Sequence, residues 1–211
     1  MKIILKGQNE IKGIAPSPVE AAKWWQWILS IARPYNPLES GNTSQNQGLP
    51  FLCLACTGGG EDMNRIFSIS GADAKKDILV PVFTSAYSNA ELGSGTTDYE
   101  LLAKARDDVK NPKQLELNID DLDLRNLQDH YVECGPFKVN LPPDHILDEK
   151  IPPGTYRAMS AGYWLKISHL PGGSTHMIKF GGTGRNGFHT RVGYVMNTPN
   201  QEMVVSTVRQ A

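Results

Sequence analysis

Apolar and polar positions alternate most clearly between residues 17 and 34. Ala21, Trp24, Trp25, Ile28 and Ala32 recur at the three- and four-residue spacing of one helix face, and Trp27 and Ile31 widen the stripe. Ser17-Pro18-Val19-Glu20 supplies an N-cap serine, a proline at the first helical position and a glutamate three residues after the serine, the signature of a capping box. Pro34 ends the pattern, so a helix is predicted over about 18–32. A second box, Thr97-Asp98-Tyr99-Glu100, opens a helix over about 98–109 that carries Leu101, Leu102 and Ala105 and stops before Asn111-Pro112.

Elsewhere the pattern is that of strands: short runs rich in Val, Ile, Phe and Tyr, punctuated by Gly, Pro, Asn and Asp. These runs predict strands over 50–57, 63–70, 77–84, 114–120, 130–140, 155–159, 162–169, 175–181, 188–196 and 201–208. Pro152-Pro153-Gly154 and Pro171-Gly172-Gly173 mark turns, and Asn186-Gly187 is the strongest hairpin signal, because a type I′ turn wants positive φ at both central positions. Ten short strands and two helices predict a mainly β chain, a β-sandwich or jelly-roll with two accessory helices packed on an edge or end. One domain is expected over 1–211, with a mobile polar loop at 39–47.

Composition narrows the functional classes. The 211 residues carry 21 Lys+Arg against 22 Asp+Glu, a formal charge of -1, and no local basic patch, so no electrostatic footprint for nucleic acid is present. No stretch approaches the roughly 20 apolar residues of a membrane span, and Lys6 ends the N-terminal apolar run short of a signal peptide. Three cysteines, Cys53, Cys56 and Cys134, fit reduced thiols rather than a disulfide framework. The expectation is a cytoplasmic protein, with no nucleic-acid or membrane partner.

Trp24-Trp25-Gln26-Trp27, Asn36-Pro37, Thr57-Gly58-Gly59 with Arg65, Gly162-Tyr163-Trp164, and His176 leading to Phe180-Gly181-Gly182 together resemble an uncharacterised family of bacterial and archaeal β-rich proteins. The resemblance spans roughly residues 20–185 and implies one coherent domain. That family has no assigned activity, so no catalytic residue is carried over.

The remaining constellations are weighed on their own chemistry. Cys53-Leu54-Ala55-Cys56 has CxxC spacing, yet residues three apart on a strand point to opposite faces, which leaves the thiols as buried structural groups. Cys56, at a strand end beside a glycine-rich turn, is the candidate nucleophile, and it needs a base from His130, His145, His169, His176 or His189, of which His176 is the candidate. No His-x-His pair marks a metal site, Asp120-Asp121-Leu122-Asp123 lacks the EF-hand pattern, and the Gly181–Gly187 run lacks the lysine and following helix of a phosphate loop. No metal and no cofactor are expected.

Aromatic residues offer the functional opening. Adjacent Tyr163 and Trp164 on a strand must face opposite ways, and three tryptophans on one helix exceed what one face hides. The first reading is therefore a binding protein for a small molecule, a carbohydrate among the candidates. Its aromatic-lined cleft would use Trp164, Tyr163, Arg65 and Trp27. The alternatives are an enzyme on the same scaffold using Cys56 or a histidine, and a homo-oligomer assembled through exposed indoles and edge strands.

Overall fold

Both capping boxes form, and each starts a helix where the sequence places it. Ser17 Oγ accepts from the Glu20 amide at 3.3 Å while Glu20 Oε2 accepts from the Ser17 amide at 2.8 Å. Thr97 and Glu100 repeat the exchange at 3.3 and 2.8 Å. The computed structural model describes residues 1–5, 10–40 and 48–199, without the side chains of residues 40, 62–64 and 71.

Along the chain run β1 (Lys2–Ile4), β2 (Glu10–Ile14), α1 (Pro18–Leu29), the one-turn α2 (Pro37–Ser40), β3 (Leu52–Cys53), β4 (Gly60–Ser68) and β5 (Ile78–Ser88). There follow the one-turn α3 (Asn89–Leu92), α4 (Asp98–Val109), β6 (Gln114–Ile119), β7 (Leu122–Asp123), β8 (Tyr131–Leu141), β9 (Gly154–Ile167), β10 (Thr175–Thr183) and β11 (His189–Asn197). The fold is mainly β, with two sheets arranged like a β-sandwich. One sheet has the order β1-β2-β9-β5-β3 with β8 also paired to β9; the other has the order β4-β11-β10-β6-β7. Most pairings are antiparallel, but β4 runs parallel to β11 and β3 parallel to β5. Most of the buried apolar side chains form one cluster that includes residues of both sheets, α1 and α4.

Several sequence boundaries shift, each for a physical reason. The strands expected at 155–159 and 162–169 are the single strand β9, because Ser160 and Gly162 do not interrupt it: both are buried against β5, and a Cβ at Gly162 would lie 2.6 Å from the Thr84 Cα. The strand expected at 77–84 continues to Ser88, and its proline, Pro81, is accommodated at a register shift where no ladder donor is needed. Of the strand expected at 50–57, only Leu52–Cys53 is strand; the Leu54 amide makes a last bond to Leu79 O, and side chains from elsewhere then take over the Leu54 carbonyl and the Ala55 backbone groups. The β1–β2 pair, which no expectation included, buries Ile3 and Ile11 and places Lys2 2.6 Å from Glu10.

The hairpin at Asn186-Gly187 exists, but it is not a two-residue type I′ turn. Thr183 pairs with His189 across a five-residue loop, and only Gly187 of the expected pair has positive φ (+85°). Asn186 Oδ1 instead accepts from the Phe188 amide at 3.0 Å, a local side-chain turn that places the Phe188 ring 5.9 Å from Phe83. β10 can approach Phe83 because Gly182 has no side chain: a Cβ there would sit 2.6 Å from the Phe83 ring. Residues 201–208 and most of the polar loop 39–47 lie outside the described residues.

Candidate functional site

The tryptophans of α1 are packed far more completely than the helix pattern alone suggests. Trp24 is fully buried, and Trp25 and Trp27 are each only 8% exposed. Trp24 meets Trp25, Trp27 and Trp164 edge-on at 4.9, 6.0 and 5.5 Å between ring centres, and its Nε1 donates to Leu54 O at 2.8 Å. Trp164 and Trp27 are therefore core side chains.

Tyr163 does point away from Trp164, as strand alternation requires. It stacks obliquely on Tyr131 at 5.3 Å and lines a separate cavity of about 330 Å³ with Arg106 and Asp107 of α4. Arg106 is already engaged there, bonded through Nε and Nη2 to Glu133 at 2.6 Å each. Arg65 is buried as well: its Nη1 donates to Ala55 O at 3.0 Å, Cys56 O at 3.2 Å and the Tyr194 hydroxyl at 3.1 Å. Tyr194 in turn accepts from the Ala55 amide and donates to Ala55 O. Arg65 and Tyr194 thus fasten the segment after β3 to the second sheet. The structure does not bring the four expected binding residues, Trp164, Tyr163, Arg65 and Trp27, into one cleft.

The segment they fasten is one wall of a different cleft, of about 380 Å³. Cys56, Thr57 and Gly58 form that wall, and Trp25 enters from α1. Thr84, Ser85, Ala86 and Tyr87 come from the end of β5, Asp108 from α4, and Asn186 and Phe188 from the hairpin loop. Thr190 of β11 also lines it, and three of the lining residues share one feature. Trp25 Nε1, Thr84 Oγ1 and Thr190 Oγ1 are buried, have no hydrogen-bond partner among the described residues, and belong to residues lining this one cavity. A buried donor or hydroxyl left unpaired costs about 1–3 kcal/mol, and three of the residues around this cavity carry one.

Asp108 is held ready in the same cleft. Its Oδ2 accepts from Ser85 Oγ at 2.8 Å and from the Tyr87 hydroxyl at 2.9 Å. Burial and the Asp108 carboxylate together push the Tyr87 phenol well above its usual range, so Tyr87 remains a donor. With Glu91, the described lining carries two carboxylates and no lysine, arginine or histidine; Lys104 lies outside it, 5.6 Å from the Tyr87 ring.

Cys56 lines this cleft, but burial pushes its thiol up to about 11, a shift that the charge of Arg65 only partly offsets. It stays protonated at neutral pH, and no histidine lines the cleft beside it. His176 lies at the far end of β10, paired in register with Met196, while His189 pairs with Thr183, so those two histidines do not face each other. The structure therefore separates the candidate nucleophile Cys56 from the candidate base His176. All three cysteines are buried and none is in a disulfide, and among the described residues no three His, Cys, Asp or Glu side chains gather as a metal-binding group. No described helix is long and apolar enough to cross a membrane.

No protein-family model, curated protein or solved structure matches the chain. The reading of the cleft therefore rests on its own geometry.

Proposed function

We propose that the chain binds a small, hydroxyl-rich molecule of neutral or positive charge, a carbohydrate or amino sugar, in the cleft between Trp25, the end of β5, Asp108 and the hairpin loop. The observation that carries this reading is the open cleft of about 380 Å³ in which the Asp108 carboxylate is held by Ser85 and Tyr87 between the apolar rings of Trp25 and Phe188, with Thr84 and Thr190 also in its lining. Trp25 offers only a donor, the threonine hydroxyls offer either role, and the Asp108 carboxylate only accepts. A ligand that meets all of them must present acceptors and donors close together, as a polyol does. Phe188 and Trp25 supply the apolar walls against which a sugar ring packs, and the volume lies within the ordinary range of ligand sites, about 300–1,000 Å³. Two carboxylates without a lining base disfavour a phosphorylated or carboxylated ligand.

The test is a titration with glucose, N-acetylglucosamine, glucosamine and maltose, followed by tryptophan fluorescence and by calorimetry. A saturable response to at least one of them that weakens about tenfold or more in Asp108→Asn is the expected result, since a hydrogen bond to a charged group contributes about 1.5–3 kcal/mol. No saturable response to any of the four, or one that Asp108→Asn leaves unchanged, overturns the reading.

A further inference from the structure

Away from the cleft, three side chains from separate segments meet in an order the cleft does not use. Asp120 is in the turn between β6 and β7, His176 is at the start of β10, and Ser174 is in the loop preceding β10. Asp120 Oδ2 lies 2.6 Å from His176 Nδ1, and Ser174 Oγ lies 2.8 Å from His176 Nε2. His176 is 6% exposed, and Ser174 is exposed.

The hydrogen-bond inventory sets the proton positions. An ionised carboxylate only accepts, so Nδ1 carries a proton, and in the neutral ring Nε2 is then the acceptor. Ser174 Oγ has a second acceptor in reach, Pro171 O at 3.1 Å, which also lies 3.3 Å from His176 Nε2 and 2.8 Å from the Thr198 hydroxyl, itself 2.7 Å from Ser174 O. With the ring neutral, the shorter of the serine's two contacts is the one to His176 Nε2, at 2.8 Å. Asp120 is fixed at both ends, because its Oδ1 accepts from the Met177 amide at 2.8 Å. The backbone holds it there at φ +50°, a conformation an aspartate adopts at a cost of about 1 kcal/mol.

We infer that Ser174, His176 and Asp120 form a nucleophile, a general base and an orienting carboxylate for acyl transfer from small, sterically accessible esters. Ser174 Oγ attacks the ester carbonyl carbon as its proton passes to His176 Nε2. The bond to the leaving alkoxide breaks, and that oxygen takes the proton from Nε2. Water then attacks the acyl-serine, delivers one proton to Nε2, and the serine oxygen recovers it as the carboxylic acid departs. Asp120 keeps the ring in the tautomer that accepts, and it stabilises the imidazolium formed in each half. The Gly173 and Ser174 amides are occupied by Pro199 O and Thr198 Oγ1, so neither is free to stabilise an oxyanion, and turnover is expected to be slow with activated esters favoured.

A fluorophosphonate probe tests this directly, because the serine oxygen displaces fluoride from phosphorus, with the proton leaving through His176, and the adduct is read by peptide mass. The expected result is an adduct at Ser174 in the native protein, none in urea-unfolded protein, and labelling at least about a hundredfold slower in Asp120→Asn. Hydrolysis of p-nitrophenyl acetate should fall to the solvent rate in Ser174→Ala. No adduct at Ser174 in the native protein overturns the inference whatever the variants do. So does an adduct that forms equally fast in the unfolded chain or in Asp120→Asn, and so does ester hydrolysis that survives Ser174→Ala.

Discussion

Two regions of this molecule are rich in aromatic side chains, and only one resembles a binding site. Around Trp24 the rings of Trp25, Trp27 and Trp164 close on one another edge-to-face, and Trp24 spends its N–H on Leu54 O. Trp164 Nε1 has no partner either, but its residue is fully buried and lines none of the described cavities. In the cleft the aromatic groups are fewer, Trp25, Tyr87 and Phe188, yet they stand beside unfilled volume, a fixed carboxylate and three buried polar atoms without partners. Unfilled space and unmade hydrogen bonds, rather than aromatic content, distinguish a recognition surface from a core.

Substitutions on the two sides of this comparison should separate cleanly. Trp24→Ala removes a fully buried indole and its hydrogen bond, and should destabilise the fold by about 3–5 kcal/mol in a denaturant titration. Loss of less than about 1 kcal/mol there would mean the ring cluster is not the core.

The buried thiols predict the next largest effect. Burial raises Cys56 to about 11 and Cys134 to about 12, and raises Cys53 in the same direction. In the unfolded chain a thiol ionises near about pH 8.5, so the stabilisation is complete below that value and is lost as pH rises through the folded-state values. Cys56 alone accounts for about 3 kcal/mol between about pH 8.5 and its folded value of about 11. Unfolding midpoints measured from pH 8 upward should fall steeply, and Cys56→Ser should flatten part of that fall.

Ser17→Ala should cost about 1 kcal/mol through loss of the N-cap, and an unchanged midpoint would remove that cap from the account of α1.

The smallest stability effect belongs to the cleft. Thr84→Val and Thr190→Val delete hydroxyls that have no partner among the described residues, so each should leave stability unchanged or raise it by up to about 1 kcal/mol. The same substitutions should weaken sugar binding. A loss of more than about 2 kcal/mol of stability in either would show that the hydroxyl is already satisfied, and would erase the contrast between the two regions.

The part of the site that sequence patterning missed is instructive. Residues 85–88 lie beyond the strand expected at 77–84, but they continue β5, and Ser85 and Tyr87 carry the hydroxyls that hold Asp108. Their half-burial depends on α4 packing over them, which no local period records. Trp25 had the same spacing signal as Trp24 and Trp27, and which indole borders empty space was set by the hairpin loop and the segment after β3. The neighbours Tyr163 and Trp164 did take opposite faces, since alternation is a local property of any strand. Whether either face was open was not local.

By itself the sequence determined the two helix starts, the mainly β character and the turns at proline and glycine, because caps and periodicity act over a few residues. Tertiary structure decided which aromatic rings are core, why Arg65 is a fastener, where Cys56 lies relative to the histidines, and that Asp120 reaches His176 across 56 positions of sequence. Those outcomes depend on which distant segments pack together, and therefore on burial and hydrogen-bond partners supplied by the whole fold.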